Sequence, residues 1–305
     1  MKSEITNVEP FNDIYTYDCF MNSLLCAAKH FKLNFAMITL HKTFFYSFAG
    51  GQLDSQNVIV FSIHSLVHSI GMEITKETDC IENWKEQYER DFKRGKIIVA
   101  PHDDYYNPLR KDIYGKEHLP HYTLIYGMDN TDKMLSVVES KYRETVAYKN
   151  MKLAYEDYEK SHFQQETLYR YVLNKTKCVA DETYKERYLE KKVELLKQSL
   201  VNLQKSIDYL TEKKGTEIKM LLNNLNNICN QVKIEGYLYE HVFDNKDLSL
   251  ISTEIFNTWY LIRTYVVKDS MMSRSDTVNT RIVKGIKHIE VLEKNKLNML
   301  SKLKI

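Results

Sequence analysis

Among the chain's five cysteines and ten histidines, Cys19 and His121 stand where each could do chemistry. Cys19 follows Asp18 at the head of DCFMNSLLCAAKHF, whose Phe20, Leu24, Ala27, Ala28 and Phe31 recur at helical spacing. Asp18 sits where an N-cap would, so Cys19 falls in a first turn, where unpaired backbone N–H groups and the helix dipole favour a thiolate over a thiol. Cys26 lies two turns deeper in an apolar setting that keeps a thiol protonated, which leaves Cys19 as the candidate nucleophile. A cysteine nucleophile needs a base to take its proton and a third group to orient that base. His121 opens the β-prone run Tyr122, Thr123, Leu124, Ile125 and Tyr126, and a histidine at a strand entrance can be held rigidly beside a groove. Glu139, in SVVESKY, is the candidate orienter. A hairpin turn centred near residues 131 and 132 folds position 139 back towards position 121, within a residue or two.

These residues require a sheet and a helix to carry them. KIIVAP, HYTLIYGMDN and MLSVVESKY read as three strands, the last two joined by the polar turn 130–133, so the sheet is expected to be antiparallel. Between the first two lies DDYYNPLRKDIYGKEHLP, too long for a hairpin connection and of the kind that carries function. Asp103 and Asp104 in it read as loop acids that bind backbone amides, or as contacts to an amine substrate. Tyr105 and Tyr106 read equally as a packed lid or a substrate wall, and His118 as a solvated loop residue, with a rival base as its alternative. VIVFSIHSLVHSIG fits a buried strand or a helix, and IENWKEQYERDFKRG an exposed helix stopped by Gly95. His64 and His68, four apart, have no acidic or cysteine partner at metal spacing, so no metal site is expected.

After about residue 150 Gly and Pro almost vanish, and the expected division is a catalytic domain over 1–155 and a helical bundle over 156–305. Leu189, Val193, Leu196, Leu200, Leu203, Ile207 and Leu210 step by four and three. Ile218, Leu221, Leu225, Ile228 and Val232 resume the rhythm, predicting a long helix or a helical hairpin. IFNTWYLIRTYVV and the final RIVKGIKHIEVLEKNKLNMLSKL supply further amphipathic helices. This half either packs against the first domain or another subunit, as in a homodimer, or helps recognise a carrier or acceptor.

A formal net charge of +2 and a pI of about 8.1 lack the concentrated basic footprint of a nucleic-acid binder. No run approaches the ~20 apolar residues of a membrane span, and MKSEITNVEPFND does not resemble a secretory signal, so a cytoplasmic protein is expected. The cysteines are odd in number and scattered, without a CxxC pair, which suggests free thiols.

Helix with cysteine, sheet with histidine, then an acid on the next strand is the order of papain-like enzymes. As a set, DCFMNSLLCAAKHFKLNF, GKIIVAPHDDYYNPL, HLPHYTLIYGMD and SVVESKY resemble the N-terminal domain family of butirosin biosynthesis protein H, over about the first half of the chain. Cys19, then Asp103 with Tyr105, Tyr106 and Pro108, then His121, Gly127, Asp129 and Glu139 match its pattern. The resemblance implies an α+β, papain-like fold, with the helical domain appended. It also implies an acyltransferase that moves an acyl group from a carrier-protein thioester to an amine in antibiotic biosynthesis. No cofactor of its own is implied; phosphopantetheine would arrive on an acyl or peptidyl carrier protein, and the acceptor would be a small-molecule amine.

Two positions depart from that pattern. The family has Asp or Asn where this chain has Glu139, which leaves the third role open between Glu139 and Asp103. Papain-like peptidases place an oxyanion-donating glutamine about six residues before the cysteine; Asp13 stands there, beside Asn12. Three readings therefore compete: an amide-forming acyltransferase, a peptidase or amidase using the same residues, and a noncatalytic module that binds a carrier or peptide.

Overall fold

The computed structural model describes residues 2–16, 18–142, 147–163, 168–179, 181–212, 222–272 and 275–303. Its strands are β1 (Lys2–Glu4), β2 (Lys42–Ala49), β3 (Gln52–Ile59), β4 (Met72–Thr78), β5 (Ile97–Asp103), β6 (Pro120–Asp129), β7 (Met134–Ser140), β8 (Tyr148–Ala154) and β9 (Tyr169–Lys175). Its helices are α1 (Cys19–His30), α2 (Ile63–Ser69), α3 (Trp84–Lys93), α4 (Tyr155–His162), α5 (Thr183–Glu212), α6 (Leu222–His241), α7 (Lys246–Met272) and α8 (Ser275–Leu300). The chain is a mixed α+β protein that divides into two compact units, Met1–Ile38 with Ile63–Ala180, and Thr39–Ser62 with Asp181–Ile305.

The first unit is built on a seven-stranded sheet in the order β4-β9-β5-β6-β7-β8, with β1 also paired to β6. Every pairing is antiparallel. The expected β6–β7 hairpin forms, and Asp129 Oδ1 accepts from Thr131 N at 2.9 Å to fix its turn. A bulge between Ile125 and Gly127 shifts the register by one residue. Gly127 is required there because a Cβ would stand 2.9 Å from the Glu4 Cα, so only glycine lets β1 approach.

Helix α1 packs on β5 and β6, with Leu24, Leu25, Ala27 and Ala28 fully buried. Each of the two leucines contributes ~2 kcal/mol by leaving water. Asp18 is extended (φ −135°, ψ 101°) and accepts from Met21 N at 3.1 Å, so the helix starts at Cys19 as the sequence predicts. Trp84, Tyr88, Ile98, Ala100, Ile125, Val137 and Tyr158 form a core that draws on α3, α4 and the sheet.

The expected boundary near residue 155 lies instead at Ala180, because α4 and β9 belong to the first unit. Strand β9 inserts between β4 and β5, a pairing with partners about a hundred and about seventy residues earlier that no local pattern announces. A second correction concerns residues 39–62, expected within the catalytic domain. They form the β2–β3 hairpin, and its Phe44, Tyr46 and Leu53 share a core with Leu203, Ile228, Ile255, Trp259 and Ile286 of the helical unit. The stretch VIVFSIHSLVHSIG resolves into the end of β3 followed by α2.

In the second unit Leu189, Leu196, Leu203, Ile207 and Leu210 are buried along α5, while Val193 and Leu200 are half-buried. Leu225, Ile228 and Val232 are buried along α6; Ile218 and Leu221 lie outside the described residues. Among the described residues no helix is long and apolar enough to cross a membrane.

Candidate active site

Cys19, half-buried at the first position of α1, is hydrogen-bonded to His121. His121 lies one residue into β6, directly opposite His102 of β5, and only 6 % of it is exposed. Its Nε2 stands 3.2 and 3.1 Å from the two oxygens of Glu139, which is fully buried on β7. Cysteine, histidine and acid thus meet in the order expected from the sequence.

Glu139 is held by more than the imidazole. Thr123 Oγ1 donates to its Oε2 at 2.8 Å and Ser140 N to its Oε1 at 2.7 Å, so the carboxylate has one orientation and fixes the ring against it. With Nε2 turned to Glu139, Nδ1 is the ring nitrogen left to face the thiol.

Asp103, the alternative acid, has a different task. Its Oδ1 accepts from Tyr105 N (3.0 Å) and Leu119 N (3.2 Å), and its Oδ2 lies 2.6 Å from His118 Nδ1. It ties together the two ends of the loop between β5 and β6, as the backbone-binding reading expects. Tyr105 stacks on His118 with ring centroids 4.2 Å apart, and Tyr106 meets both rings edge-on. The two tyrosines are half-buried in this loop.

Asn12, the side-chain amide next to Asp13, donates from Nδ2 to Tyr148 O at 3.1 Å and accepts from Tyr148 N at 2.9 Å. Both ends of its amide are engaged in pinning the start of β8, and Asp13 is exposed. Cys26 is a buried thiol that burial pushes up to about 12, in keeping with its expected inertness. His64 and His68 are exposed on α2.

Behind Cys19, His121 and Glu139 lies a polar cluster that no local sequence signal announces. Asp104 is fully buried, its Oδ1 3.1 Å from His102 Nε2 and its Oδ2 3.1 Å from Arg110 Nη1. Asn107 Nδ2 stands 3.1 Å from His102 Nε2 and donates to Asp104 Oδ1 at 3.2 Å. The ligand atoms of His102, Asp104, His121 and Glu139 lie within 4.8 Å of one another, a grouping that could hold a metal ion. Arg110 already supplies the cation: Nη1 is 3.1 Å from Asp104, 3.7 Å from Glu139 and 3.4 Å from His121 Nε2. A divalent ion would be set beside a fixed guanidinium, so the donor set as arranged does not suit one.

The charges act on one another. Burial alone would lower the His121 pKa, but the Glu139 charge, the hydrogen bonds with Cys19 and Glu139, and Asp104 hold it well above the usual histidine value. Burial would raise Asp104, but His102, His121 and Arg110 bring it down to about 2. Glu139 is lowered too, against its burial, chiefly by His121. The imidazole is thus kept as an imidazolium between two carboxylates, with the Cys19 sulfur hydrogen-bonded to it.

No family model and no curated protein matches this chain.

Proposed function

We propose that the chain is a cysteine acyltransferase of papain-like fold that forms an amide bond. Cys19 is the nucleophile, His121 the acid and base, and Glu139 the orienter. The observation that carries this reading is that one imidazole is hydrogen-bonded both to a thiol at a helix N-terminus and to a buried, immobilised carboxylate. The acyltransfer chemistry itself is what the resemblance to the butirosin biosynthesis protein H family implies.

The donor is a phosphopantetheine thioester on a carrier protein. The Cys19 thiolate adds to the carbonyl carbon; the resulting oxyanion collapses, and the departing pantetheine sulfur takes the proton from His121. The acyl group is now on Cys19 and His121 is neutral. An amine then attacks, His121 accepts its proton, and Cys19 leaves as the thiolate beside the restored imidazolium. Donor plus amine become amide plus free thiol, with no change of oxidation state and no ATP, because the thioester is already activated.

Incubation with acyl-pantetheine thioesters and a panel of primary amines tests this. An amide product that needs Cys19 supports the transferase. Free acid released at a rate indifferent to amine supports a peptidase or amidase instead. Iodoacetamide labelling of Cys19 no faster than that of the half-buried Cys80 supports a noncatalytic module.

A further inference from the structure

Nucleophilic addition to a carbonyl moves the C=O π pair onto oxygen, and the site must hold that charge. The first-turn N–H groups of α1 supply one donor, but Asn12, the neighbouring side-chain amide, is committed to the β8 backbone. We propose that the Tyr148 hydroxyl is the second donor, aimed with the Cys19 backbone N–H at the carbonyl oxygen of the thioester.

Four observations support this. Tyr148 opens β8 directly opposite Ser140, the residue next to Glu139, so it stands at the end of the sheet where the triad lies. Its backbone is clamped on both sides by the Asn12 amide, which gives it one position. Its Oη accepts from Asn22 Nδ2 at 3.1 Å, and Asn22 is buried on α1 one turn beyond Cys19. Asn22 Oδ1 in turn accepts from Thr16 Oγ1 at 2.9 Å, which orients the amide with its N–H towards the phenol. A hydroxyl that receives a hydrogen bond on its oxygen is a stronger donor through its own hydrogen, and that hydrogen is left for an acceptor in the site.

The phenol is also electrically part of the site. Burial first, then the Glu139 charge, keep it protonated far into alkali, and Cys19 and Arg110 both interact with it. A tyrosine that serves only to pack would answer to Phe11, Ser23, Leu124 and Val138, which line the small cavity beside it. The chemistry assigned here is narrower: Tyr148 O–H donates to the oxyanion as Cys19 Sγ bonds to the carbonyl carbon, and the bond weakens again when the C–S bond to pantetheine breaks.

This inference rests on the acyltransferase reading, and the test separates the two. Tyr148→Phe keeps the ring and removes the donor. Acylation of Cys19 by acetyl-, hexanoyl- and benzoyl-pantetheine, followed by quenched-flow mass spectrometry, should slow ~10²–10³-fold. Alkylation of Cys19 by iodoacetamide, which places no charge on a carbonyl oxygen, should be unchanged. Undiminished acylation, or an equal loss in both reactions, overturns the role of Tyr148 and leaves the acyltransferase standing. A wild-type chain that none of the thioesters acylates at Cys19 overturns both.

Discussion

Each unit buries a cluster of opposite charges, and the two are built differently. In the helical unit Lys296 Nζ lies 2.6 Å from Glu235 and 2.6 Å from Glu293, and Lys192 pairs with the other oxygen of Glu235. Lys192 also donates to Phe44 O at 3.1 Å, and Tyr46, itself bonded by Trp259 Nε1, donates to Glu293 at 2.9 Å. Two lysines face two glutamates, all four are buried, and the partners are fixed by α5, α6, α8 and β2. In the sheet unit Asp104 and Glu139 face Arg110 and His121, yet one of those four is a titratable ring that also bonds a half-exposed thiol. Burial of ions is common to both and marks neither as a site. A titratable ring hydrogen-bonded to a half-buried thiol at a helix start is what the sheet unit adds.

Variants should separate the clusters. The largest effect is expected for His121→Ala, with turnover down ~10³-fold or more, measured by steady-state amide formation. Glu235→Ala should leave turnover intact and lower stability. Removing the carboxylate that Lys192 and Lys296 share leaves Lys192 without its paired acid and Lys296 with Glu293 alone, which costs ~3–5 kcal/mol in urea unfolding. The rate of Cys19 alkylation should not change, and a parallel fall in alkylation would erase the distinction.

A third expectation is the response to pH. Asp104, lowered to about 2 from 3.8, and Glu139, also lowered, contribute stability that is complete above their unfolded values and is lost as pH falls through the folded ones. For Asp104 this is of order 2 kcal/mol, seen as a falling urea midpoint between about pH 4 and pH 2. His121 has the opposite sign. Its raised pKa gives a contribution complete below its unfolded value of about 6.5 and lost as pH rises through the folded value, so activity should fall on that alkaline limb. The smallest effect is expected for His118→Ala: its pair with Asp103 is exposed, so stability should move by less than ~0.5 kcal/mol and turnover not at all.

The parts of the site that could be read from the sequence are those with local signals. Asp18 and the apolar spacing behind it place Cys19 at a helix start, and two apolar runs around a polar turn bring Glu139 back to His121. The bulge at 125–127 changes the register within that hairpin, so Leu124 faces Val138 and Glu139 reaches His121 diagonally, past Thr123. Asp104, Asn107 and Arg110 carry no local signal of their clustering, because they sit in an irregular loop whose partners are fixed only in three dimensions. His102 falls just past the KIIVAP run, and its pairing with His121 follows from the β5–β6 register. The fold was read least well where contacts are distant in sequence: β9 returns to the sheet after a helix, and the β2–β3 hairpin joins helices more than 130 residues later.

The most direct test of Cys19 as an acyl carrier is intact-mass spectrometry after incubation with an acylated carrier protein. The expected result is a gain of one acyl group that is absent from Cys19→Ala and is discharged by added amine as the amide appears. A chain that gains no mass, or gains it equally in Cys19→Ala, would contradict the mechanism.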